Sequence, residues 1–184
     1  MDFWVIVSLC VLVVVAGVLV AADAFRLFVS WGRFAQGIAA SRPDAVVVLA
    51  QMRPDLPRQL RMLTGDDGIR DPTSDDTGLA LVVDGTTLEV YRDPARQPVF
   101  SCPTGDLTGA SAAEHTALSA HTGKAIRTYP CLRLTLRTTY ATGTLDLVPL
   151  ADPRLSFLAA KPARISDIAS RLQAVAGLPG TAAS

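Results

Sequence analysis

The residues whose types suit chemistry best are two cysteines and two histidines. Cys102, His115, His121 and Cys131 have the ligand types of a zinc site, and a cysteine with a histidine is also the pair used in thiol catalysis. Twelve, five and nine residues separate them in turn, and these intervals do not reproduce the two closely spaced ligand pairs of structural zinc sites. The sequence therefore predicts no metal site, and both cysteines are interpreted as small apolar strand residues.

Other signatures of catalysis or ligand binding were sought in the rest of the chain. No serine lies in a G-x-S-x-G elbow, and no phosphate-binding G-x-x-x-x-G-K is present. The aspartate-rich stretch 65–78 lacks the calcium-loop pattern and is interpreted as an acidic flexible loop. A formal net charge of zero gives no electrostatic reason to expect a nucleic-acid partner. We therefore expect that the chain has no catalytic residue, binds no cofactor and is not an enzyme.

The longest apolar stretch, Phe3 to Ala22, contains no charged residue. Twenty helical residues reach about 30 Å, the thickness of a bilayer core. The stretch predicts a transmembrane anchor over residues 1–24, with a weak homodimer contact through the small residues Gly17 and Ala21. The residues assigned to the anchor are Phe3, Trp4, Gly17 and Ala22.

Basic residues next to this stretch occur on its C-terminal side alone, at Arg26, Arg33 and Arg42. The positive-inside rule then predicts a single-pass protein of the plasma membrane, with the N-terminus outside and the C-terminal domain in the cytoplasm. The alternative is a secreted binding protein, in which residues 1–24 are a signal peptide that is removed. In that alternative Cys102 and Cys131 are expected to form a disulfide.

Residues 25–43 predict an amphipathic helix, because Leu27, Trp31, Phe34 and Ile38 recur at helical spacing. Two interpretations remain open: the stripe lies at the membrane surface, or it packs on the domain that follows. The residues assigned to a membrane interface are Arg26, Phe28, Trp31, Arg33 and Phe34.

Residues 44–64 predict a short strand at 45–50 and a helix at 56–63 with Leu56, Leu60 and Leu63 on one face. A hairpin follows at 79–92, in which a two-residue turn at Asp84-Gly85 pairs Leu81 with Leu88. Further strands are predicted at 98–102 and 106–111.

Residues 112–128 contain both histidines and are interpreted as a polar stretch. Two alternating strands are predicted next, at 132–137 and 144–150. A turn centred on Ala141-Thr142 would place Leu136 beside Leu147 and Arg137 opposite Asp146. A helix at 163–176 and a loose tail at 177–184 complete the chain.

The hairpin LALVVDGTTLEVYR, the segment PVFSCPTGDL, the pair LRLTLR and TGTLDLV, and the helix ARISDIASRLQAV succeed one another over residues 79–176. This layout resembles the pleckstrin-homology-like (PH-like) domains of bacterial membrane proteins. The resemblance implies an α+β fold: a mostly antiparallel sheet or barrel closed by a C-terminal amphipathic helix, with residues 44–64 as an N-terminal elaboration. It also implies a non-catalytic module that binds lipid or an as yet unknown protein partner, although the loop at Asp84-Gly85 lacks the basic cluster of phosphoinositide-binding members.

Overall fold

The described part of the chain forms one antiparallel sheet and three helices. It covers residues 11–12, 15, 29–71, 78–118, 125–151 and 159–179 of a computed structural model. The strands are β1 (Val46–Gln51), β2 (Gly78–Val83), β3 (Thr87–Tyr91), β4 (Phe100–Pro103), β5 (Leu107–Leu118), β6 (Ala125–Arg137) and β7 (Thr142–Pro149). The helices are α1 (residues 29–41 as described), α2 (Leu56–Thr64) and α3 (Pro162–Val175), and a 3₁₀ turn at Thr104–Asp106 joins β4 to β5.

The seven strands follow the order β4-β3-β2-β1-β7-β6-β5. The two edge strands, β4 and β5, are consecutive in the chain and only the 3₁₀ turn separates them. Seven flat strands would place the edges about 29 Å apart, whereas a three-residue link spans about 14 Å at most. The sheet therefore curls until its two edges face each other, and the described residues show no pairing between β4 and β5.

The concave face of the sheet holds the core. Alternate residues of β2, β3, β6 and β7 point into it, as strand periodicity requires. They are Leu79, Leu81, Val83, Leu88, Val90, Leu132, Leu134, Leu136, Leu145 and Leu147. Helix α3 lies across this core and buries Ile165, Ala169 and Leu172, while its Ile168 and Val175 are only partly buried.

Strand β1 occupies the centre of the sheet, between β2 and β7. Helix α2 adds Leu56, Leu60 and Leu63, each at most 1% exposed, to the same core. The segment interpreted as an N-terminal elaboration thus shares the sheet and core of the strands that follow it.

Helix α1 covers the convex face of β1, β2 and β3. Its Trp31 and Phe34 are joined edge to face, with ring centroids 5.7 Å apart, and Phe34 lies 4.8 Å from the ring of Tyr91. Ala80 and Val82 complete the contact from the sheet. Of the two interpretations of the apolar stripe, packing on the domain is the one found for the described residues.

The predicted membrane anchor requires correction. Within the described ranges, no helix combines the length and apolarity needed to cross a bilayer. Helix α1, at residues 29–41, does not qualify because it is amphipathic: Trp31 is buried on the sheet and Arg33 is exposed. This finding contradicts the predicted transmembrane helix, the single-pass placement in the plasma membrane and the orientation derived from it. The anchor residues Phe3, Trp4, Gly17 and Ala22 and the dimer contact lie outside the described residues.

The predicted fold class is also wrong in its details. The chain was expected to form a transmembrane helix followed by a sheet or barrel of PH-like type. The structure instead has an open, seven-stranded antiparallel sheet with three helices. The sheet is open because its edge strands β4 and β5 do not pair with each other among the described residues.

The register of the β2–β3 hairpin differs from the prediction by two residues. Val83 pairs with Leu88 and Leu81 pairs with Val90, so that residues 84–86 connect the two strands and the backbone N–H of Asp84 donates to the Thr87 carbonyl. The Asp84 carboxylate accepts hydrogen bonds from the backbone N–H groups of Thr86 (2.8 Å) and Thr87 (2.7 Å), and this widens the turn. An even shift keeps every side chain on its predicted face.

The β6–β7 register differs from the prediction by four residues. Arg133, not Arg137, lies opposite Asp146, and Leu132 pairs with Leu147. The loop closes earlier because the Thr138 hydroxyl accepts hydrogen bonds from the backbone N–H groups of Tyr140 and Ala141.

Protonation of Asp84 is expected to destabilise the protein in acid. Burial pushes the pKa of this carboxyl up, but hydrogen bonds from Thr86 and Thr87 outweigh it and lower the pKa to about 2. A carboxyl with a lowered pKa contributes stability above its unfolded-state pKa and loses that contribution as the pH falls through the folded-state value. Between about pH 5 and 2, urea unfolding should therefore show a loss on the order of 2 kcal/mol from this residue. The Asp84→Asn variant should show a correspondingly flatter profile, and an unchanged profile would contradict the assignment.

Candidate functional site

The described ionisable side chains gather most densely on the convex face of β5, β6 and β7, beside the start of α2. We call this group the Asp146 cluster. It consists of Arg53, Asp55, Gln59, His115, Arg133 and Asp146.

Four separate segments position these side chains. Arg133 and Asp146 are direct cross-strand partners on β6 and β7, and His115 lies on the neighbouring strand β5. Arg53 and Asp55 belong to the tight connection between β1 and α2, which turns across the convex face. Strand alternation puts Arg133 and Asp146 on one face because the leucines beside them point into the core.

Asp146 is the centre of the cluster, with only 6% of its side chain exposed. The guanidinium of Arg133 donates two hydrogen bonds to its carboxylate, at 2.7 and 2.8 Å. The Nδ1 atom of His115 lies 3.0 Å from the same carboxylate. The backbone N–H of Asp146 donates to Oε1 of Gln59 at 2.9 Å.

Asp55 forms the outer half of the cluster and is 35% exposed. Its carboxylate accepts hydrogen bonds from Arg53 at 3.0 Å and from Gln59 at 3.1 Å. Nε2 of His115 lies 3.4 Å from it. The imidazole of His115 is thus held between two carboxylates.

The charges of the cluster compensate one another. Burial pushes the pKa of Asp146 up, but the hydrogen bonds from Arg133 and His115 outweigh burial and leave the pKa below its ordinary value. The hydrogen bond to Asp146 in turn raises the pKa of Arg133. Two arginines face two aspartates, so the geometry matches a structural clamp that joins α2 to β5, β6 and β7.

The two described cysteines lack the electronic activation of a nucleophile. Cys102 and Cys131 are free and buried. Burial, with smaller contributions from nearby aspartates, raises the pKa of Cys102 to about 12 and that of Cys131 to about 11. A protonated thiol is a poor nucleophile. The disulfide that the secreted alternative implies is not formed in this structure.

The residues considered for zinc do not assemble in the described part of the chain. There, no group of three or more histidine, cysteine or acidic side chains is placed to hold a metal ion. His115 is engaged with Asp55 and Asp146, and His121 lies outside the described residues.

Slow alkylation of Cys131 is the expected consequence of its raised pKa. A shift from 9 to about 11 lowers the thiolate fraction at pH 8 about a hundredfold. Iodoacetamide labelling followed by peptide-resolved mass spectrometry should show that Cys131 reacts at least this many times faster in urea-unfolded protein than in native protein. Labelling of native Cys131 within a few-fold of the unfolded rate would contradict the assigned environment.

The two edge strands of the sheet differ in length and in the residues that protect an edge from pairing. Strand β4 is four residues long and ends in Pro103, a residue that cannot donate to a neighbouring strand. Strand β5 has twelve residues with neither proline nor lysine, two of the devices that protect an edge, and its register irregularities lie near its two ends. The edge of β5 therefore has the features of a surface that accepts another strand.

Helix α3 covers one point of this edge. The side-chain amide of Gln173 donates to the backbone carbonyl of Ala110 at 2.7 Å, so that carbonyl points away from β6. On β7 the side-chain oxygen of Gln59 has the complementary role, because it accepts a hydrogen bond from the backbone N–H of Asp146. Two helical glutamines thus replace missing strands at two places in the sheet.

Beyond Ala110 the outer edge of β5 pairs with no other strand in the described part of the chain. Alternation along a strand directs the N–H and C=O groups of Ala112, Glu114 and Thr116 to the same side as the Ala110 carbonyl. Among the described residues no backbone hydrogen bond reaches these groups, and all three side chains are exposed. We call these three residues the β5 edge.

The residues assigned to a membrane interface do not form a site together. Trp31 and Phe34 pack on the sheet, and Arg33 is exposed. Arg42, used above to infer orientation, pairs with Asp84 at 3.2 Å and Glu89 at 2.8 Å. Arg26 and Phe28 lie outside the described residues.

The sequence analysis missed both the Asp146 cluster and the β5 edge. The cluster unites residues that are up to 93 positions apart, from Arg53 to Asp146, and no motif connects them. The β5 edge lies in the stretch 112–128 that was interpreted as polar. The signal available there was weak: residues 111–116 (SAAEHT) contain neither proline nor glycine, but only Thr116 is β-branched.

Comparison of the chain with models of protein families, with curated proteins and with solved structures finds no match.

Proposed function

We propose that this chain is a non-catalytic protein-interaction module that binds an extended segment of a partner protein along the β5 edge. The observation that carries the proposal is the row of outward-facing peptide groups at Ala112, Glu114 and Thr116. An extended segment that adds to such an edge gains main-chain hydrogen bonds, and alternate side chains then set its specificity.

The form of the β5–β6 ribbon supports this proposal. Strand β7 pairs with β6 only from Leu132 to Arg137, so the half of the ribbon beyond Leu132 extends past β7. The Asp146 cluster holds that half in place through His115. A rigid, preorganised edge loses little entropy when a partner strand binds.

The contrast with the Asp146 cluster favours binding over catalysis. The cluster's acids accept hydrogen bonds from its own arginines and glutamine. The described thiols have raised pKa values. The peptide groups of the β5 edge, in contrast, are available for new hydrogen bonds.

A proline at position 112 tests the proposal. The Ala112 N–H points outward, so Ala112→Pro removes a donor from the edge without removing a hydrogen bond between β5 and β6. Ala112→Thr retains the donor and suits a strand, which makes it the matched control. Circular dichroism and thermal unfolding should show that both variants are folded.

The probe is a phage-displayed library of random twelve-residue peptides, selected on the full chain. Peptides that bind the wild-type protein should lose about tenfold or more in affinity for Ala112→Pro, because a hydrogen bond is lost and the ring obstructs the edge. They should bind Ala112→Thr with nearly unchanged affinity. A library that yields no binders, or binders indifferent to the proline, would overturn the proposal.

A further inference from the structure

We infer that the partner segment carries a basic side chain that faces Glu114, and that this preference disfavours the pairing of Glu114 with Glu114 of a second copy. The inference rests on the proposed function, since it specifies the chemistry of the segment that binds the β5 edge.

Glu114 is the central residue of the three that define the edge, and its side chain is exposed. Its cross-strand partner on β6 is Pro130, which carries no charge. Its neighbours on the same face of β5, Ala112 and Thr116, are also uncharged. Within the described residues no cation pairs with Glu114.

A strand added to this edge would place one side chain directly beside Glu114, about 5 Å away between Cβ atoms. Opposite charges in such a cross-strand pair stabilise the pairing, whereas like charges destabilise it. A lysine or arginine at that position of the segment is therefore favoured, and an aspartate or glutamate is disfavoured.

The charge of Glu114 also affects pairing between the β5 edges of two copies of the chain. One two-fold antiparallel register pairs Ala112, Glu114 and Thr116 only with one another, with Ala112 beside Thr116 of the second copy. This register places Glu114 beside Glu114 of the second copy. Like charges directly opposite each other oppose that pairing, so the edge is suited to a different protein with a basic residue.

Parallel selections of the twelve-residue library on wild-type protein and on Glu114→Lys test the inference. Wild-type binders should be enriched in lysine or arginine at one fixed position, and Glu114→Lys binders in aspartate or glutamate at that position. Replacing this lysine by glutamate in a selected peptide should weaken wild-type binding about two- to fivefold, as expected for a cross-strand charge pair. The preference should reverse with Glu114→Lys.

Asp67→Lys provides the matched control, because it makes the same charge change at an exposed acid in the 65–71 loop. It should leave the preference of the peptides unchanged. Binders that are blocked by Ala112→Pro but show no preference for basic residues would overturn this inference while the proposed function stands. Failure to select any binder would instead overturn the proposed function.

Analytical ultracentrifugation of wild-type and Glu114→Lys protein supplies an independent outcome. Self-association of the wild type that is abolished by Ala112→Pro and not strengthened by a lysine at position 114 in mixtures of the two proteins would contradict the preference for a basic residue.

Discussion

Replacing Asp146 by alanine should lower the free energy of unfolding by about 3 kcal/mol, as expected when one partner of a buried ion pair is removed. The carboxylate is 6% exposed and accepts hydrogen bonds from Arg133 and His115. Its loss leaves the Arg133 guanidinium and Nδ1 of His115 without this partner, and the Arg133 side chain, 38% exposed, can recover only part of its hydration.

Two variants make this prediction specific to the centre of the cluster. Asp55→Ala removes the more exposed carboxylate and should cost less than about 1 kcal/mol. The double variant Arg133→Met with Asp146→Leu replaces the pair by apolar side chains and should recover most of the loss. Urea unfolding of all three variants provides the measurement, and a cost below 1 kcal/mol for Asp146→Ala would contradict the proposed clamp.

Replacing Leu60 by alanine should destabilise the protein by about 2–5 kcal/mol, the range found for leucines deleted from packed cores. Leu60 is fully buried between α2 and the sheet. The cavity that the substitution leaves is lined by side chains held on rigid strands, which limits how far the site can collapse.

Met62 lies two residues away on the same helix and is 54% exposed, so Met62→Ala should change stability by less than about 0.5 kcal/mol. Thermal and urea unfolding of the two variants therefore separate core packing from helix propensity. Equal effects of Leu60→Ala and Met62→Ala would show that α2 is peripheral to the fold.

The sequence was sufficient to predict which side chains of the hairpins face the core. Leu81, Val83 and Val90 are buried as predicted, because strand periodicity survives any register shift by an even number of residues. The registers themselves could not be predicted. They depend on hydrogen bonds made by Asp84 and Thr138 within the loops, and such bonds leave no periodic signal in the sequence.

The extension of β5 to Leu118 could not be predicted for a different reason. From Ser111 to Thr116 no residue of β5 is buried, and the strand shows no apolar alternation there. Pairing with β6 stabilises this part of the strand instead. The same part of the strand carries the β5 edge on which the proposed function rests.

The apolar stretch Phe3 to Ala22 is the case where composition alone was misleading. Its length and lack of charge predicted a membrane anchor, which the described helices contradict. The apolar stripe of Trp31 and Phe34 on the amphipathic helix α1 packs on the sheet. Apolar periodicity identifies a buried face, but it does not identify what covers that face.

Amide hydrogen exchange on the full chain, with and without a peptide selected from the library, tests the proposed binding surface most directly. The peptide should slow exchange at the amides of Ala112, Glu114 and Thr116 at least tenfold, because each would donate to the added strand. The amides of Ala113 and His115 already face β6 and should change much less. Protection elsewhere on the protein, with these three amides unchanged, would contradict binding at the β5 edge.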